Sequence, residues 1–229
     1  MQKVRRLFGI VPARAGSKGL PGKNQKILFN KPLVCHSLDT ALGSRFDLSI
    51  VVSTDDPIVV EHVEASYHGV TCVGRAPELC DDNARIVDVL LDLIVRLSMD
   101  DEDLLITLQP TSPLRRSEHI DEAIALNLSN LDSSIISVTK LGHPENAIIR
   151  CEGGKIINSP TIVHNNRQSY SDSYRINGAI YSSTVSNFIA NHGYFGKKML
   201  PLEMTRRFSI DIDDELDFDI AEFLLKGMR

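Results

Sequence analysis

Short apolar runs alternate with segments of helical periodicity along the first part of the chain, and this alternation limits the fold more than any other feature. The runs with the length and residue content of buried strands lie at 7–13, 48–54, 69–73, 103–109 and 133–139. Segments with apolar residues on one helical face lie between them at 32–44, 86–97 and 117–128, and Ser117 is the expected N-cap of the third. Strands joined by crossover helices form a mostly parallel sheet covered on both faces, with ligands at the carboxyl ends of the strands. We therefore predict an α/β fold whose functional loops begin near residues 14, 54, 74 and 109.

The alternation stops near residue 140 and returns near residue 177. A predicted hairpin that turns at Gly153-Gly154 follows the break, and after it comes a polar stretch with little apolar periodicity. Because this stretch is too long for an ordinary connection, it is expected to be mobile or to pack on a partner subunit. We therefore divide the chain into an α/β domain formed by 1–140 and 177–229 and an extension formed by 141–176.

The composition argues against several classes of protein. The 25 basic and 30 acidic residues give a net charge of −5, so we expect neither a nucleic acid nor an anionic membrane as partner. The apolar run after the basic start is too short for a signal peptide or a transmembrane span, which favours a cytoplasmic protein. Since the four cysteines lack C-x-x-C spacing, we expect reduced thiols rather than zinc ligands or disulfides.

The segment "IVPARAGSKGLPGKN" (10–24) holds positive charge close to glycines, directly after the first strand. A glycine-rich turn at this place lets backbone N–H groups converge on an anion, and Arg14, Lys18 and Lys23 would add formal charge. The loop is not a Walker A motif, because Asn24 follows Lys23 and a proline disfavours a helix there. We predict a phosphate-binding loop rather than an exposed turn whose lysines only face solvent.

Two aspartates near the end of the chain alternate with isoleucines in "FSIDIDDELD" (208–217). A strand would place Asp211 and Asp213 together on the face opposite the isoleucines. Mg²⁺ usually takes one or two protein carboxylates and completes its shell with water and substrate phosphates, so the pair predicts a Mg²⁺ site. Asp214, with Asp217 three residues later, is placed to cap the last helix. The residues that share an apolar face of that helix are Leu216, Ile220, Phe223 and Leu224.

Five segments together resemble the cytidylyltransferases that activate nine-carbon 2-keto sugar acids, the CMP-sialic acid synthetase family. They are the loop at 10–24, "RAPELCDDNA" (75–84), "LQPTSPLRR" (108–116), "RINGAIY" (175–181) and "SIDIDDELD" (209–217). The resemblance spans nearly the whole chain. It implies a Rossmann-like, mostly parallel nucleotidyltransferase fold with a small dimerisation extension, and hence a homodimer.

The resemblance also implies a reaction, in which a cytidylyl group passes from CTP to the 2-hydroxyl of a nonulosonic acid and pyrophosphate leaves. The nucleotide contacts it implies are Arg14, Gly16, Ser17, Lys18, Lys23, Asn24 and Arg75. The catalytic residues it implies are Arg14, Lys18, Lys23 and Asp213, and Mg²⁺ would be held by Asp211 and Asp213. No histidine is placed to act as general base, so the identity of the base stays open.

The sugar contacts implied by the resemblance are Gln109, Arg167, Asn177, Tyr181, Tyr194 and Phe195. Gln109 can both donate to and accept from an acylamino group, and Arg167 would reach the sugar carboxylate from the neighbouring subunit. Thr111, Ser112 and Arg115 are expected to order the loop that carries Gln109. Sialic acid enzymes of the family have a lysine where this chain has Asn146, which leaves a legionaminic- or pseudaminic-type acid open as substrate.

Three other functions stay open at this point. A 3-deoxy-manno-octulosonate cytidylyltransferase uses the same chemistry but differs around "NGAIY". A glycosyltransferase can hold a nucleotide-sugar through an Asp-x-Asp metal site, and such a site is present as "DID". A nucleotide-binding module without catalysis would bind CTP and release no pyrophosphate.

Overall fold

The computed structural model describes the chain over residues 6–16, 19–81, 83–142, 149–157 and 172–227. The strands are β1 (Leu7–Pro12), β2 (Ile27–Leu28), β3 (Lys31–Pro32), β4 (Ser49–Thr54), β5 (Thr71–Gly74), β6 (Leu104–Thr107), β7 (Ser134–Lys140), β8 (Cys151–Glu152), β9 (Lys155–Ile156), β10 (Tyr174–Thr184) and β11 (Met199–Glu203). The helices are α1 (Leu33–Leu42), α2 (Pro57–Ser66), α3 (Ile86–Arg96), α4 (Ser117–Ser129), α5 (Val185–Ala190) and α6 (Glu215–Lys226). The strands and helices predicted from the alternating pattern are all present, with ends shifted by a few residues.

A seven-stranded sheet in the order β11-β7-β10-β6-β1-β4-β5 forms the centre of the molecule. β1 is parallel to both of its neighbours, β4 and β6. β10 is antiparallel to both of its neighbours, β6 and β7. The sheet is therefore mostly parallel, and the predicted Rossmann-like α/β fold is confirmed.

Helices cover both faces of the sheet because successive residues of each central strand point to opposite sides. On one face, Val11 of β1 belongs to a buried cluster with apolar residues of α1, α2 and α4. On the other face, Ile10 belongs to a cluster with residues of α3 and α5. This three-layer arrangement directs the ends of β1, β4 and β6 toward one edge, where the candidate site lies.

The last helix is capped as predicted but turns a different face to the core. Asp214 accepts a hydrogen bond from the backbone N–H of Asp217 at 3.0 Å, and the two residues form a capping box. The predicted apolar face points to solvent instead, with Phe223 76% exposed. The helix packs through Phe218 and Ala221 against a small cluster beneath the opening loop. Two apolar stripes exist on this helix, and the buried one is the stripe that packs with Leu20, Leu28 and Leu33.

Helix α4 begins at Ser117, so the prediction that Ser117 is its N-cap was wrong. The hydroxyl of Ser117 donates to the backbone O of Thr40 at 2.8 Å, which joins α4 to α1. Arg116 takes the N-cap position, and its backbone N–H donates to Nδ1 of His119 at 3.1 Å. A tertiary partner for the serine hydroxyl therefore replaces the local cap.

The predicted hairpin of the extension is present as β8 and β9, which pair antiparallel across Gly153 and Gly154. Both glycines have positive φ, 55° and 77°, which the tight turn requires. Ile156 and Ile157 are exposed on this hairpin. The polar stretch at 158–171 lies outside the described residues. The sheet itself takes in 174–176, since β10 begins at Tyr174.

Two further structural facts bear on the expectations from composition. All four cysteines are free thiols, with Cys35 buried and Cys151 exposed. Within the described part of the chain, none of the helices combines the length and apolarity needed to span a lipid bilayer.

Candidate active site

A cavity of about 640 Å³ lies beside the residues that follow β1, β5 and β6. This is the sheet edge where the alternating pattern places ligands. The cavity brings together predicted nucleotide contacts, the predicted metal pair and a predicted sugar contact, namely Arg14, Lys23, Asn24, Arg75, Gln109, Asp211 and Asp213. Two apolar residues of α3, Ile86 and Val89, also line it, and sequence reasoning assigned them no role there.

The loop after β1 is held in place by hydrogen bonds that reach three neighbouring segments. Arg14 Nη1 donates to the backbone O of Asp81 at 2.9 Å. The backbone N–H of Ala15 donates to Oδ1 of Asp55 at 2.8 Å. Asn24 is buried, and its Nδ2 donates to the backbone O of Arg14 at 2.8 Å. Asn24 and Asp55 therefore fix the loop backbone. Gly16 is exposed in this loop, and the predicted contacts Ser17 and Lys18 lie outside the described residues.

Sequence reasoning missed Asp55, although one signal was available. Asp55 directly follows β4 at the same sheet edge, and an acidic residue there is well placed to accept from a glycine-rich loop. Burial of the Arg75 guanidinium lowers the pKa of Arg75, and the negative charge of Asp55 opposes part of this lowering. Asp55 thus both holds the loop backbone and lies within electrostatic reach of Arg75.

Lys23 connects the cationic loop to the carboxylates. Its Nζ donates to the backbone O of Ile212 at 2.6 Å and lies 3.9 Å from Oδ1 of Asp213. A Cβ at Gly19 would overlap the backbone O of Asp213, so the loop and the carboxylate segment fit only because position 19 lacks a side chain. The opening loop and the carboxylate segment, which are almost two hundred residues apart in the sequence, thus form one wall of the cavity.

The carboxylate pair lies on an extended segment outside the sheet, so the prediction that 208–213 forms a strand was wrong. The backbone N–H of Ile212 donates to the backbone O of Thr111 at 2.8 Å, and the Ile212 side chain is fully buried. Asp211 is half-buried and the Asp213 side chain is 83% exposed. As predicted, the two aspartates lie on one side of the segment, at the cavity, and the two isoleucines lie on the other side, against the core. Extended backbone alternates its side chains in this way whether or not it joins a sheet.

Burial raises the pKa of Asp211, and the charge of Asp213 raises it further. A hydrogen bond with the Thr111 side chain and the charge of Lys23 oppose this increase in the pKa. The described residues contain no group of three or more His, Cys, Asp or Glu side chains that could hold a metal. Two carboxylates with excess negative charge, open on one side to a ligand, nevertheless suit a hard divalent cation that takes its other oxygens from water and phosphate.

A bulge in β10 brings Gly178 against the same carboxylates. The pairing with β7 shifts register between Ile176 and Tyr181, and Gly178 has a φ of 76°. A Cβ at this position would lie 2.9 Å from Oε1 of Gln109 and 3.1 Å from Oδ2 of Asp211. The side chains of Gln109 and Asp211 therefore both lie next to Gly178, and they fit there because Gly178 has no side chain.

Asn177, a predicted sugar contact, lies behind this bulge instead of facing the cavity. Its side chain is fully buried; Oδ1 accepts from Ser137 Oγ at 2.6 Å and from the backbone N–H of Ala179 at 3.1 Å. Its Nδ2 donates to Ser209 Oγ at 2.9 Å. In this structure Asn177 holds the bulge to the carboxylate segment, and its amide is not open to a ligand.

The predicted aromatic contacts separate into a buried ring and two rings nearer the surface. Tyr194 is buried, shares a 2.7 Å hydrogen bond with the Thr107 hydroxyl and packs edge-on against Phe188. It supports Tyr181, whose ring centre lies 5.5 Å away. Phe195 is 59% exposed at the edge of Tyr181. Burial raises the pKa of Tyr181, and the charge of Asp211 contributes, which places Tyr181 within electrostatic reach of the carboxylates. All three predicted rings lie outside the cavity lining.

Arg115 lies beneath the site and orders the loop that carries Gln109, as its place in "LQPTSPLRR" predicts. Its guanidinium is 2% exposed, and burial lowers the pKa of Arg115 to about 9. Nη1 donates to the backbone O of Ala179 at 2.7 Å and to that of Gln109 at 3.2 Å, and Nη2 donates to Ser37 Oγ at 2.6 Å. One buried cation therefore joins the Gln109 loop to the bulge in β10. Arg167 and Asn146 lie outside the described residues.

Comparison with known proteins identifies the family. A family model described as cytidylyltransferase matches residues 8–219. The chain belongs to the cytidylyltransferase family. It is therefore a nucleotidyltransferase by family, and the cationic loop, the carboxylate pair and Gln109 line a cavity at the sheet edge where open α/β sheets generally bind ligands.

Two relatives of this cytidylyltransferase differ in length. A CMP-N,N'-diacetyllegionaminic acid synthase of Legionella pneumophila is 30% identical over 226 residues, which cover 96% of this chain and 97% of the relative. An N-acylneuraminate cytidylyltransferase of Streptococcus agalactiae is 34% identical over 213 residues, which cover 91% of this chain and 51% of the relative. The chain thus spans about half the length of the streptococcal protein.

Solved structures agree with the cytidylyltransferase fold. A CMP:2-keto-3-deoxy-manno-octonic acid synthetase complexed with CTP has a TM-score of 0.74 at 17% identity, covering 98% of this chain and 100% of that one. A 4-diphosphocytidyl-2C-methyl-D-erythritol synthase has a TM-score of 0.72 at 11% identity, covering 96% of this chain and 99% of that one. At these identities the likeness supports the fold alone.

Proposed function

We propose that this cytidylyltransferase transfers the cytidylyl group of CTP to the 2-hydroxyl of a nonulosonic acid and releases pyrophosphate. The observation that carries the proposal is one cavity that joins the cationic loop, the carboxylate pair and Gln109. The near full-length similarity to a CMP-N,N'-diacetyllegionaminic acid synthase favours a nine-carbon acid over the octulosonate alternative.

On the nucleotide side, Arg14, Lys18 and Lys23 bind the triphosphate together with amides of the loop. Fixed cations at this place stabilise the negative charge that develops on the leaving pyrophosphate, without reorganisation during the reaction. The bond from Lys23 to the backbone O of Ile212 supports this role, because it holds the ammonium in place before the nucleotide arrives. Arg75 adds a further cation to the same cavity.

Asp211 and Asp213 are the residues that would hold Mg²⁺. The raised pKa of Asp211 supports this assignment, since burial beside a second carboxylate leaves negative charge that a cation relieves. When bound, Mg²⁺ neutralises phosphate charge and makes the α-phosphorus a better electrophile. Asp211 and Gln109 both lie next to Gly178, so the side chain proposed to contact the acceptor sugar adjoins a proposed metal ligand.

On the sugar side, Gln109, Tyr181 and Phe195 receive the acceptor, and Arg167 of a second copy pairs with its carboxylate. This arrangement requires a homodimer. The exposed isoleucines of the β8–β9 hairpin support it, because Ile156 and Ile157 are 59% and 56% exposed on a short hairpin. Sedimentation of a monomer at all working concentrations would remove the role of Arg167. A cytoplasmic location remains a prediction from the sequence.

Pyrophosphate release tests the reaction directly. Enzyme, CTP and Mg²⁺ are incubated with N-acetylneuraminic, legionaminic, pseudaminic or 3-deoxy-manno-octulosonic acid. We expect release with one nine-carbon acid and formation of its CMP derivative. CTP binding with no release across the panel contradicts the proposal and favours the binding module. Turnover of a CMP- or UDP-sugar without free pyrophosphate favours the glycosyltransferase.

A further inference from the structure

A second cavity, of about 400 Å³, lies at the end of β7. Ile210 lines this cavity, whereas the next residue, Asp211, lines the active-site cavity. Because neighbouring residues of an extended segment point to opposite sides, the segment that carries the carboxylates separates the two cavities. The second cavity is therefore distinct from the site described above.

Cations dominate the lining of the second cavity. Lys140, Arg175, Arg206 and Arg207 line it, and among the described residues no acidic side chain does. Near this lining, Nζ of Lys140 lies 2.6 Å from Oδ1 of Asp172, and Arg175 lies within electrostatic reach of Asp211. In a chain with a net charge of −5, three arginines that converge on one cavity form a local site for an anion.

The arginines keep donors available for a ligand. Arg175 Nη2 donates to the backbone O of Ser209 at 3.0 Å, and Arg207 Nη2 donates to that of Gly227 at 3.4 Å. Each guanidinium carries five N–H donors, so these bonds occupy a small part of the donor capacity. Gly142 lets Arg206 approach the end of β7, since a Cβ there would lie 3.3 Å from Arg206 Nη1.

A buried hydroxyl lies in the same cavity and lacks a partner. Thr139 lines the cavity and is 2% exposed, and its Oγ1 has no hydrogen-bond partner within the described part of the chain. Buried polar atoms nearly always have a partner, so an orphaned donor beside four cations itself indicates a missing acceptor. An oxyanion would supply that acceptor and would also pair with the guanidinium groups.

We propose that this cavity is a second anion site that binds a phosphate group. Guanidinium forks match phosphate oxygens, and a dianion pairs with several cations at once, which a single carboxylate does not. Inorganic phosphate and a phosphate ester both present the same oxygens to Thr139, Arg175 and Arg206. Hydrogen bonds link this cavity to the active site. Arg175 donates to the backbone O of Ser209, and Ser209 Oγ accepts from Asn177 behind the bulge.

The test uses a protein in which two of the active-site cations are removed to weaken phosphate binding there, because that loop also binds phosphate under the proposed function. In the Arg14→Ala, Lys23→Ala double variant, we expect calorimetry to detect one site for inorganic phosphate. On this background, Arg206→Ala and Thr139→Val are each expected to weaken binding by about tenfold, since each removes a donor to a charged group. Arg45→Ala is the matched control, because Arg45 is exposed far from the cavity lining and should leave binding unchanged.

Several outcomes would overturn the proposal. They are no phosphate binding by the double variant, equal binding after Arg206→Ala, and acetate binding as tightly as phosphate. Glycerol phosphate distinguishes the sources, since tighter binding than inorganic phosphate assigns the site to an ester and weaker binding to the free ion. Without phosphate, Thr139→Val should keep the melting temperature, because the hydroxyl it removes is unpartnered. A large fall in that temperature would show that the hydroxyl already has a partner, against the proposal.

Discussion

Gly178 lies where two side chains of the cavity leave no space for another atom. Its φ of 76° disfavours any L side chain, and a Cβ would press on Gln109 and Asp211. We expect Gly178→Ala to lower the free energy of unfolding by about 1–3 kcal/mol and to abolish pyrophosphate release. Urea unfolding and the release assay measure the two effects.

Gly153 provides the matched control for this substitution. It also has a positive φ, 55°, but a Cβ there would meet open space. Gly153→Ala should therefore cost about 1 kcal/mol through the backbone alone and keep full activity. Equal activities of the two variants would contradict the crowding described at Gly178.

Substitution of Asp213 can test catalysis without affecting stability, because the Asp213 side chain is 83% exposed. Asp213→Ala should reduce turnover by at least about a hundredfold while leaving the melting temperature unchanged, since a charge-stabilising group is lost without disturbing the core. Asp219→Ala, which removes an exposed acid of α6, should leave turnover intact. An active Asp213→Ala enzyme at ordinary Mg²⁺ would rule out the assigned role.

Single residues also mark the limits of sequence reasoning. That Arg14, Lys23 and Asp213 line one cavity was predictable, because charged residues beside glycines or alternating with apolar residues are typical of a binding site. Asn177 and Tyr194 were not, since a buried amide and a buried phenol carry the same letters as exposed ones. Only the packing of β7 and α5 around them decides that they support the site from behind.

At the scale of secondary-structure elements, Arg115 ties the loop after β6 to the bulge in β10. Arg115→Met should lower the free energy of unfolding by about 2 kcal/mol, because buried carbonyl groups lose their donor. It should also raise the KM for the acceptor acid more than that for CTP, since the Gln109 loop would lose its anchor. Steady-state kinetics with each substrate varied in turn would measure this difference.

The adjacent arginine is the control for that prediction. Arg116 is exposed, and its guanidinium lies 4.5 Å from the centre of the Phe208 ring. Arg116→Met should change stability by no more than about 0.5 kcal/mol and leave both KM values unchanged. If the two variants behave alike, Arg115 does not anchor the loop.

The strands of the sheet were predictable as elements, because continuous apolar runs of strand length have few other places in a folded chain. The direction of β10 was not predictable, since a strand pattern reads the same in both directions. The segment at 208–213 was predicted to be a strand for a similar reason. Alternating apolar and acidic residues indicate an extended backbone. Such a backbone joins a sheet only where a neighbouring strand has a free edge for it to pair with.

For the molecule as a whole, burial of His36 makes stability depend on pH. Its Nε2 donates to the backbone O of Leu28 at 2.9 Å, and burial lowers the pKa of His36 to about 4. Between that value and the ordinary pKa of 6.5, the unfolded chain binds more protons, so stability falls as the pH falls. The contribution lost by pH 4 is on the order of 3 kcal/mol.

Denaturant unfolding at several pH values tests this dependence. The free energy of unfolding of the wild type should fall more steeply below pH 6.5 than that of His36→Gln, which cannot take up the proton. His62→Gln, at an exposed position of α2, should keep the slope of the wild type. Parallel curves for the wild type and His36→Gln would be inconsistent with a neutral buried imidazole.

The antiparallel direction of β10 has a consequence for how the ligand-binding edge of the sheet changes during evolution. Because β10 runs against its neighbours, its first residues reach the same edge as the last residues of β6 and β7. The start of β10 is thus paired backbone beside the second cavity, which Arg175 lines, whereas the lining of the active-site cavity includes the loop after β1. Inserting one residue into the loop alters its length alone, but inserting one into the start of β10 would exchange inward and outward side chains along the strand. The β10 side of this edge is therefore expected to change by exchange of side chains at constant chain length, whereas the loop side can also change in length.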